Sequence, residues 1–192
     1  DEAIRRDIAW PMDPQRIADL RDQWAPYATG YHLERWVGPA SDRRAYQLAD
    51  LIGRMPTEAP YANHEVEEER WDLARVRQHE ATVDEMGRDL LTTVAIETAT
   101  GEVVGYTELT VSRADPGTAY QWDTFVTSAH RGHRLGGLMK IANMDVFAAR
   151  GYATQRIRTH NSSLNDPMIA VNEALGATVS GATLLWKKRL AS

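Results

Sequence analysis

The chain has 192 residues, 43% hydrophobic and 26% charged, with six Trp, no Cys and a formal net charge of -5. This is the composition of a folded globular protein of one domain with room for an appended element. The acidic balance excludes the broad basic face that nucleic-acid phosphates require. The lack of cysteine excludes disulfides, thiolate zinc sites and a cysteine nucleophile.

Asp13 followed by Pro14 is an N-cap with proline at the first helical position, which predicts a helix to Tyr27 that Gly30 stops. YHLERWV, residues 31–37, alternates as a strand closed by Gly38 and Pro39. Ser41 or Asp42 caps a helix running to Gly53, with Ala45, Leu48, Ala49 and Ile52 at helical spacing. MPTEAPYANH then reads as a proline-punctuated loop, and residues 65–85 as a second helix whose acidic start, EVEEE, suits the helix dipole.

From there the apolar period falls from 3.6 to 2. DLLTTVAIET, EVVGYTELTV and TAYQWDTFVT read as three antiparallel strands, joined by turns at Thr100-Gly101 and SRADPG. A helix over 135–150 follows, with Leu135, Leu138, Met139, Ala142 and Val146 on one face and Gly151 past its end. ATQRIRTH is a strand, LNDPMIAVNEALG a short helix capped by Asn165 or Asp166, and ATLLWKKRL the closing strand. The order is a helix and then β-α-α-β-β-β-α-β-α-β, a mixed α/β domain with one dominant sheet. Residues 1–30 read as an N-terminal helical extension or linker and residues 31–192 as the domain proper.

HRGHRLGG, residues 130–137, sits where a strand passes into a helix. A helix N-terminus offers unpaired backbone N–H groups and partial positive charge. Gly132, Gly136 and Gly137 allow close approach of the main chain, and Arg131 and Arg134 add charge-assisted donors. Together they predict a diphosphate site. A nucleoside-triphosphate loop is excluded, because Leu138 and Met139 follow Gly137 where Lys and Ser or Thr are required. The dinucleotide fingerprint GxGxxG is not matched either.

FVTSAHRGHRLGGLMK resembles the acyl-CoA pyrophosphate loop of the GNAT superfamily of N-acetyltransferases, Arg/Gln-x-x-Gly-x-Gly/Ala after a strand ending in valine. Val126 matches the strand end, Arg131 the first position and Gly136 the last, while Arg134 replaces the middle glycine. HRGHRLG is similar to a bacterial branch that includes tandem-domain, mycothiol synthase-like members. NSSLNDPMIAVNEALGA resembles the second signature, Asn-x-x-Ala-x-x-x-Tyr-x-x-x-Gly-Phe, with Asn165 at the asparagine, Gly176 at the glycine, Ala177 at the aromatic and Asn172 at the tyrosine.

The resemblance implies the GNAT acyl-CoA N-acyltransferase fold over about 31–189 and acetyl-CoA as cosubstrate, with no metal. The cosubstrate would lie in a V-shaped opening between the fourth and fifth strands of the order above. It implies CoA contacts from Thr124, Phe125 and Val126, from Arg131, Gly132, His133, Arg134, Leu135, Gly136 and Gly137, and from Asn165 and Asn172. An oxyanion donor is implied at the backbone N–H near Val126, and an acceptor pocket around Trp36, Met55 and Tyr61. Asn172 is expected to donate a hydrogen bond to sulfur in place of the tyrosine that protonates the thiolate.

For the base, Asp123 and Glu108 are candidates, since both lie in strands beside apolar neighbours where desolvation raises a carboxylate pKa. Each is equally readable as a polar residue on an exposed sheet face. Strict alternation puts Asp123 on one face with Gln121 and Phe125, opposite Trp122, Thr124 and Val126. His160, at a strand end, is a third option. No GxSxG is present, and His130 and His133 lack the carboxylates of a metal site.

The expected activity is transfer of acetyl to the primary amine of a small molecule. The alternative is a catalytically degenerate module that binds acyl-CoA within a multidomain protein. The expected protein is cytoplasmic, because no apolar run reaches the ~20 residues of a membrane span and the first thirty residues do not resemble a signal peptide. It would form a homodimer or pair with a second GNAT module, with no nucleic acid or membrane partner.

Overall fold

The computed structural model describes residues 2–58 and 70–184. In chain order these form β1 (Glu2–Ala9), α1 (Pro14–Trp24) with a 3-10 turn (Ala25–Ala28), β2 (Tyr31–Val37), α2 (Asp42–Glu58), α3 (Leu73–Glu85), β3 (Arg88–Glu97), β4 (Val103–Ser112), β5 (Thr118–Val126), a 3-10 turn (Ser128–His130), α4 (Leu135–Arg150), β6 (Arg156–Ser162), α5 (Asp166–Ala174) and β7 (Thr178–Leu184). The seven strands make one sheet in the order β2-β3-β4-β5-β6-β1-β7. It is antiparallel except where β5 meets β6.

Helices cover both faces, as expected when each strand buries two sets of side chains. Trp24, Leu138, Ile141 and Phe147 pack with Leu91, Leu109 and Ile157 on the α1 and α4 side. Leu48, Leu51 and Val76 pack with Val94, Tyr106 and Phe125 on the α2 and α3 side. Asp13 caps α1 through Gln15 N, Asp72 caps α3 through Arg75 N, and Asn165 caps α5 through Met168 N.

Four expectations change. Glu2–Ala9 forms a strand, so the first part of the stretch read as an N-terminal helical extension or linker contributes β1 to the sheet, between β6 and β7. Arg6 interrupts the apolar alternation of Ile4 and Ile8 in EAIRRDIA, and two of its charged neighbours are held across the sheet: Asp7 pairs with Arg158 at 2.8 Å, and the Arg5 guanidinium donates to the Ser180 carbonyl at 2.7 Å. α2 runs through Pro56 to Glu58, held at its end because Arg131 donates to the Glu58 carbonyl and the Glu58 carboxylate accepts from Ser128 N. α3 starts at Leu73, and the EVEEE stretch lies outside the described residues.

Finally, α4 is buried on more than one face, from Leu135 to Met144, because α1 covers it opposite the sheet. A Cβ on Gly137 would run into the Trp24 ring, so that glycine permits close packing of the two helices. Among the described residues no helix is long and apolar enough to cross a membrane.

Candidate active site

β5 and β6 pair in parallel only over residues 118–120 and 156–158 and then diverge. The gap is a cleft of about 580 Å³ walled by the ends of both strands, the 130–137 loop, the start of α4 and the start of α5. Thr124, Phe125, Val126, the loop residues from Arg131 to Gly137, and Asn165 all line it. The V-shaped opening expected between the fourth and fifth strands therefore lies between β5 and β6, one place later because of β1.

The loop is tied down by its own basic side chains. Arg131 donates to the carbonyls of Val126 at 3.2 Å and Glu58 at 2.7 Å. His133 Nδ1 lies 2.9 Å from the Tyr27 carbonyl, His130 Nδ1 lies 2.9 Å from the Tyr31 hydroxyl, and the Arg134 guanidinium stacks 5.5 Å from the Tyr27 ring. Arg134 has φ 57 and ψ 13, the left-handed conformation that glycine adopts most easily. It thus keeps the backbone geometry of the glycine it replaces in the motif. The first helical bond of α4 runs from Leu138 N to the Arg134 carbonyl, so the N–H groups of residues 135–137 precede it.

One end of the cleft is acidic. Thr107 pairs with Thr124 and Leu109 with Gln121, so Glu108 faces both Trp122 and Asp123 across a bulge in β5. The bulge overturns the expected alternation. Gln121 donates to the Thr107 hydroxyl at 2.9 Å, whereas Phe125 packs on Tyr106, and neighbouring Tyr106 and Thr107 point to opposite faces. Gln121 and Phe125 therefore do not share a face.

The released strand brings Asp123 to the junction of the cleft with a second cavity of about 310 Å³, lined by His79, Glu108, Gln121, Trp122, Asp123 and His160. Asp123 is exposed to solvent within this space, and the walls around it remove part of its hydration. That desolvation, then the charge of Glu108, pushes its carboxyl up to about 6, against a smaller opposing effect of His79. Glu108 is 5% exposed and its Oε2 lies 3.3 Å from His79 Nε2. That hydrogen bond raises the His79 pKa, opposed by burial and aided by the charges of Glu108, Asp123 and Glu80.

The other end holds a cation. Lys140 of α4 is 2% exposed and forms part of the cleft floor. Its Nζ donates to Asn172 Oδ1 at 2.6 Å, and Asn172 Nδ2 donates to Asn161 Oδ1 at 2.6 Å. A lysine can only donate here, so it fixes the orientation of both carboxamides. Burial pushes the Lys140 ammonium down to about 7.

Asn172 is wholly buried and lies off the cleft wall, with its oxygen and nitrogen both engaged. The expected hydrogen bond from Asn172 to sulfur is therefore not available. The two partners of Asn172, Lys140 and Asn161, line the cleft in its place.

Of the acceptor residues, Met55 lines the cleft and accepts from the Tyr106 hydroxyl at 3.3 Å. Trp36 packs against the α2 and α3 core and lines neither cavity. Tyr61 lies outside the described residues. Among the described residues no cluster of three or more His, Asp or Glu could hold a metal ion.

Sequence reasoning missed Lys140, Asn161 and His79. Lys140 did carry a signal, a charge on the apolar run LMKIA four residues after Gly136 and hence on its helix face. His79 stands in register with Val76 and Val83 on the buried side of α3.

No protein-family model matches the chain, and no curated protein matches it in sequence. Among solved structures it is similar to a tandem GNAT protein from the clavulanic acid biosynthesis pathway, solved without acetyl-CoA, at 30% identity and a TM-score of 0.72. That match covers 93% of this chain and 50% of the other, so the chain spans about half the length of this relative. Aminoglycoside N-acetyltransferase AAC(6')-Iy in complex with CoA shares the fold at 14% identity and a TM-score of 0.57, over 84% of this chain and 97% of that one. Glucosamine-6-phosphate N-acetyltransferase from Arabidopsis thaliana does so at 16% identity and a TM-score of 0.52, over 84% of this chain and 99% of that one. With its diverging parallel strands, its glycine loop at the head of α4 and these likenesses, the chain belongs to the GNAT superfamily.

Proposed function

We propose that the chain is an acyl-CoA-dependent N-acyltransferase that moves acetyl from acetyl-CoA to a primary amine of a small molecule by direct attack. The observation that carries this reading is Asp123 at the meeting point of two cavities, the larger headed by the glycine loop and the smaller walled by carboxylates. The larger cavity suits the cosubstrate. The N–H groups at the head of α4 meet diphosphate, and a Cβ on Gly136 would sit 3.5 Å from the Thr124 methyl, on the wall of the cleft.

The smaller cavity suits a cationic amine, which Glu108 and Asp123 would draw in. Asp123 is the base that takes the proton from the attacking amine, its pKa raised toward the working range. The backbone N–H near Val126 stabilises the oxyanion. The half-length match to a tandem protein supports pairing with a second GNAT module.

The test is calorimetry with CoA and acetyl-CoA, then thiol release across a panel of small amines. Saturable binding with amine-dependent turnover is expected. The burial of Asn172, with both ends of its amide engaged, favours a second reading, a degenerate acyl-CoA-binding module. Binding without turnover for any amine would select it, and absence of binding would dismiss both.

A further inference from the structure

We propose that Lys140 is a catalytic residue that receives the negative charge of the departing thiolate and protonates it, an inference that rests on the acyl-transfer reading of the cleft. Lys140 is the buried cation of the cleft floor, and among the described residues it has no ion-pair partner. Its hydrogen-bond partner is the neutral oxygen of Asn172, held in turn by Asn161. An ammonium so placed has two donors to spare, and it is costly to keep charged without an anion beside it.

Acyl transfer creates such an anion within this cleft. The amine nitrogen bonds to the carbonyl carbon and its proton passes to Asp123. The carbon–sulfur bond then breaks with its electron pair on sulfur. The Lys140 ammonium transfers a proton to that sulfur, leaving a thiol and a neutral lysine, which regains a proton from solvent as Asp123 gives one up to solvent. The site is thus complementary to the state in which charge has reached sulfur, not to the neutral thioester. Burial, which pushes the lysine toward neutral pH, suits it to give up a proton there.

The other charged or titratable groups on the cleft are Asp123 of β5, His160 of β6, and His130, Arg131, His133 and Arg134 before α4. All six are unchanged in a Lys140 variant, so a comparison isolates the lysine.

The test is a pH titration of the thiol of bound CoA, read by the ultraviolet absorbance of the thiolate, in wild type and Lys140→Met. Lys140→Gln serves if the methionine variant does not fold. In wild type the ammonium should make the bound thiol about tenfold stronger as an acid than in free CoA, while the ammonium stays the stronger acid of the pair, and in the variant this gain should vanish. A thiol that titrates as in free CoA, or alike in both proteins, overturns the proposal and leaves the acyltransferase reading standing. Failure of wild type to bind CoA overturns both. Acetylation of Lys140 itself, read by mass spectrometry after exposure to acetyl-CoA, would also overturn it by making the amine a nucleophile.

Discussion

The two ends of the cleft use the same physics with opposite sign. Between β4, β5 and α3, Glu108 and Asp123 crowd together with His79, and Asp123 is pushed up to about 6. Between α4, α5 and β6, Lys140 stands among carboxamides and is pushed down to about 7. Desolvation disfavours the charged form in both places, so a carboxylic acid and an ammonium approach neutral pH from opposite directions. They differ in compensation: the acidic end has the His79 imidazole as a partner, and the basic end has amides alone. A site arranged this way can accept a proton at one end and release one at the other.

The comparison can be broken most severely at the acidic end. Asp123→Asn should lower amine-dependent turnover by about 10²- to 10⁴-fold while CoA binding by calorimetry is kept. A smaller loss would move the base elsewhere, with His160 next in line.

At the basic end the largest effect is on stability. The folded pKa of Lys140 lies below the ordinary 10.5, so the unfolded chain binds its proton more readily. Stability should therefore fall as pH drops from about 10.5 to about 7, by a few kcal/mol in all. Denaturant unfolding of Lys140→Met should lack that slope.

The walls of the cleft separate next. Gly137→Ala should cost about 1–3 kcal/mol through the clash with Trp24. Gly136→Asp, whose new side chain would start on the cleft wall, should weaken CoA binding far more than folding.

A subtler probe is the pH profile of kcat/KM, which should rise with pH through about 6 as Asp123 loses its proton. Glu108→Gln removes the like charge and should shift that limb to lower pH. His79→Gln removes the opposing influence and should shift it to higher pH. A limb that stays fixed in both variants would detach it from Asp123. Smallest of all, Arg134→Gly should change unfolding free energy by no more than about 1 kcal/mol, since relief of the positive φ offsets the lost stacking on Tyr27 and the added chain entropy.

Most elements were legible because their signals are local. Asp13 with Pro14 and Asn165 with Pro167 mark helix starts, and both asparagine and aspartate caps are seen in place. β1 was illegible because Arg6 interrupts the apolar face of Ile4 and Ile8, and because Arg5 and Asp7 find their partners more than 150 residues away in β7 and β6. The bulge at Trp122 and Asp123 was illegible for a related reason: it is a property of the pairing with β4, not of the β5 sequence. It reversed the facial assignment of Gln121 and yet left Asp123 at the site.

The sequence by itself determined the strand, glycine loop and helix that head the cleft, because turns, caps and helix N-termini are built by residues close together in the chain. It also marked Glu108 and Asp123 as carboxylates among apolar neighbours. Tertiary structure alone decided which groups meet: His79 with Glu108, Lys140 with Asn172, and Arg131 with the end of α2. Burial and charge proximity depend on elements distant in sequence, so the protonation chemistry of the cleft exists only once the sheet has brought them together.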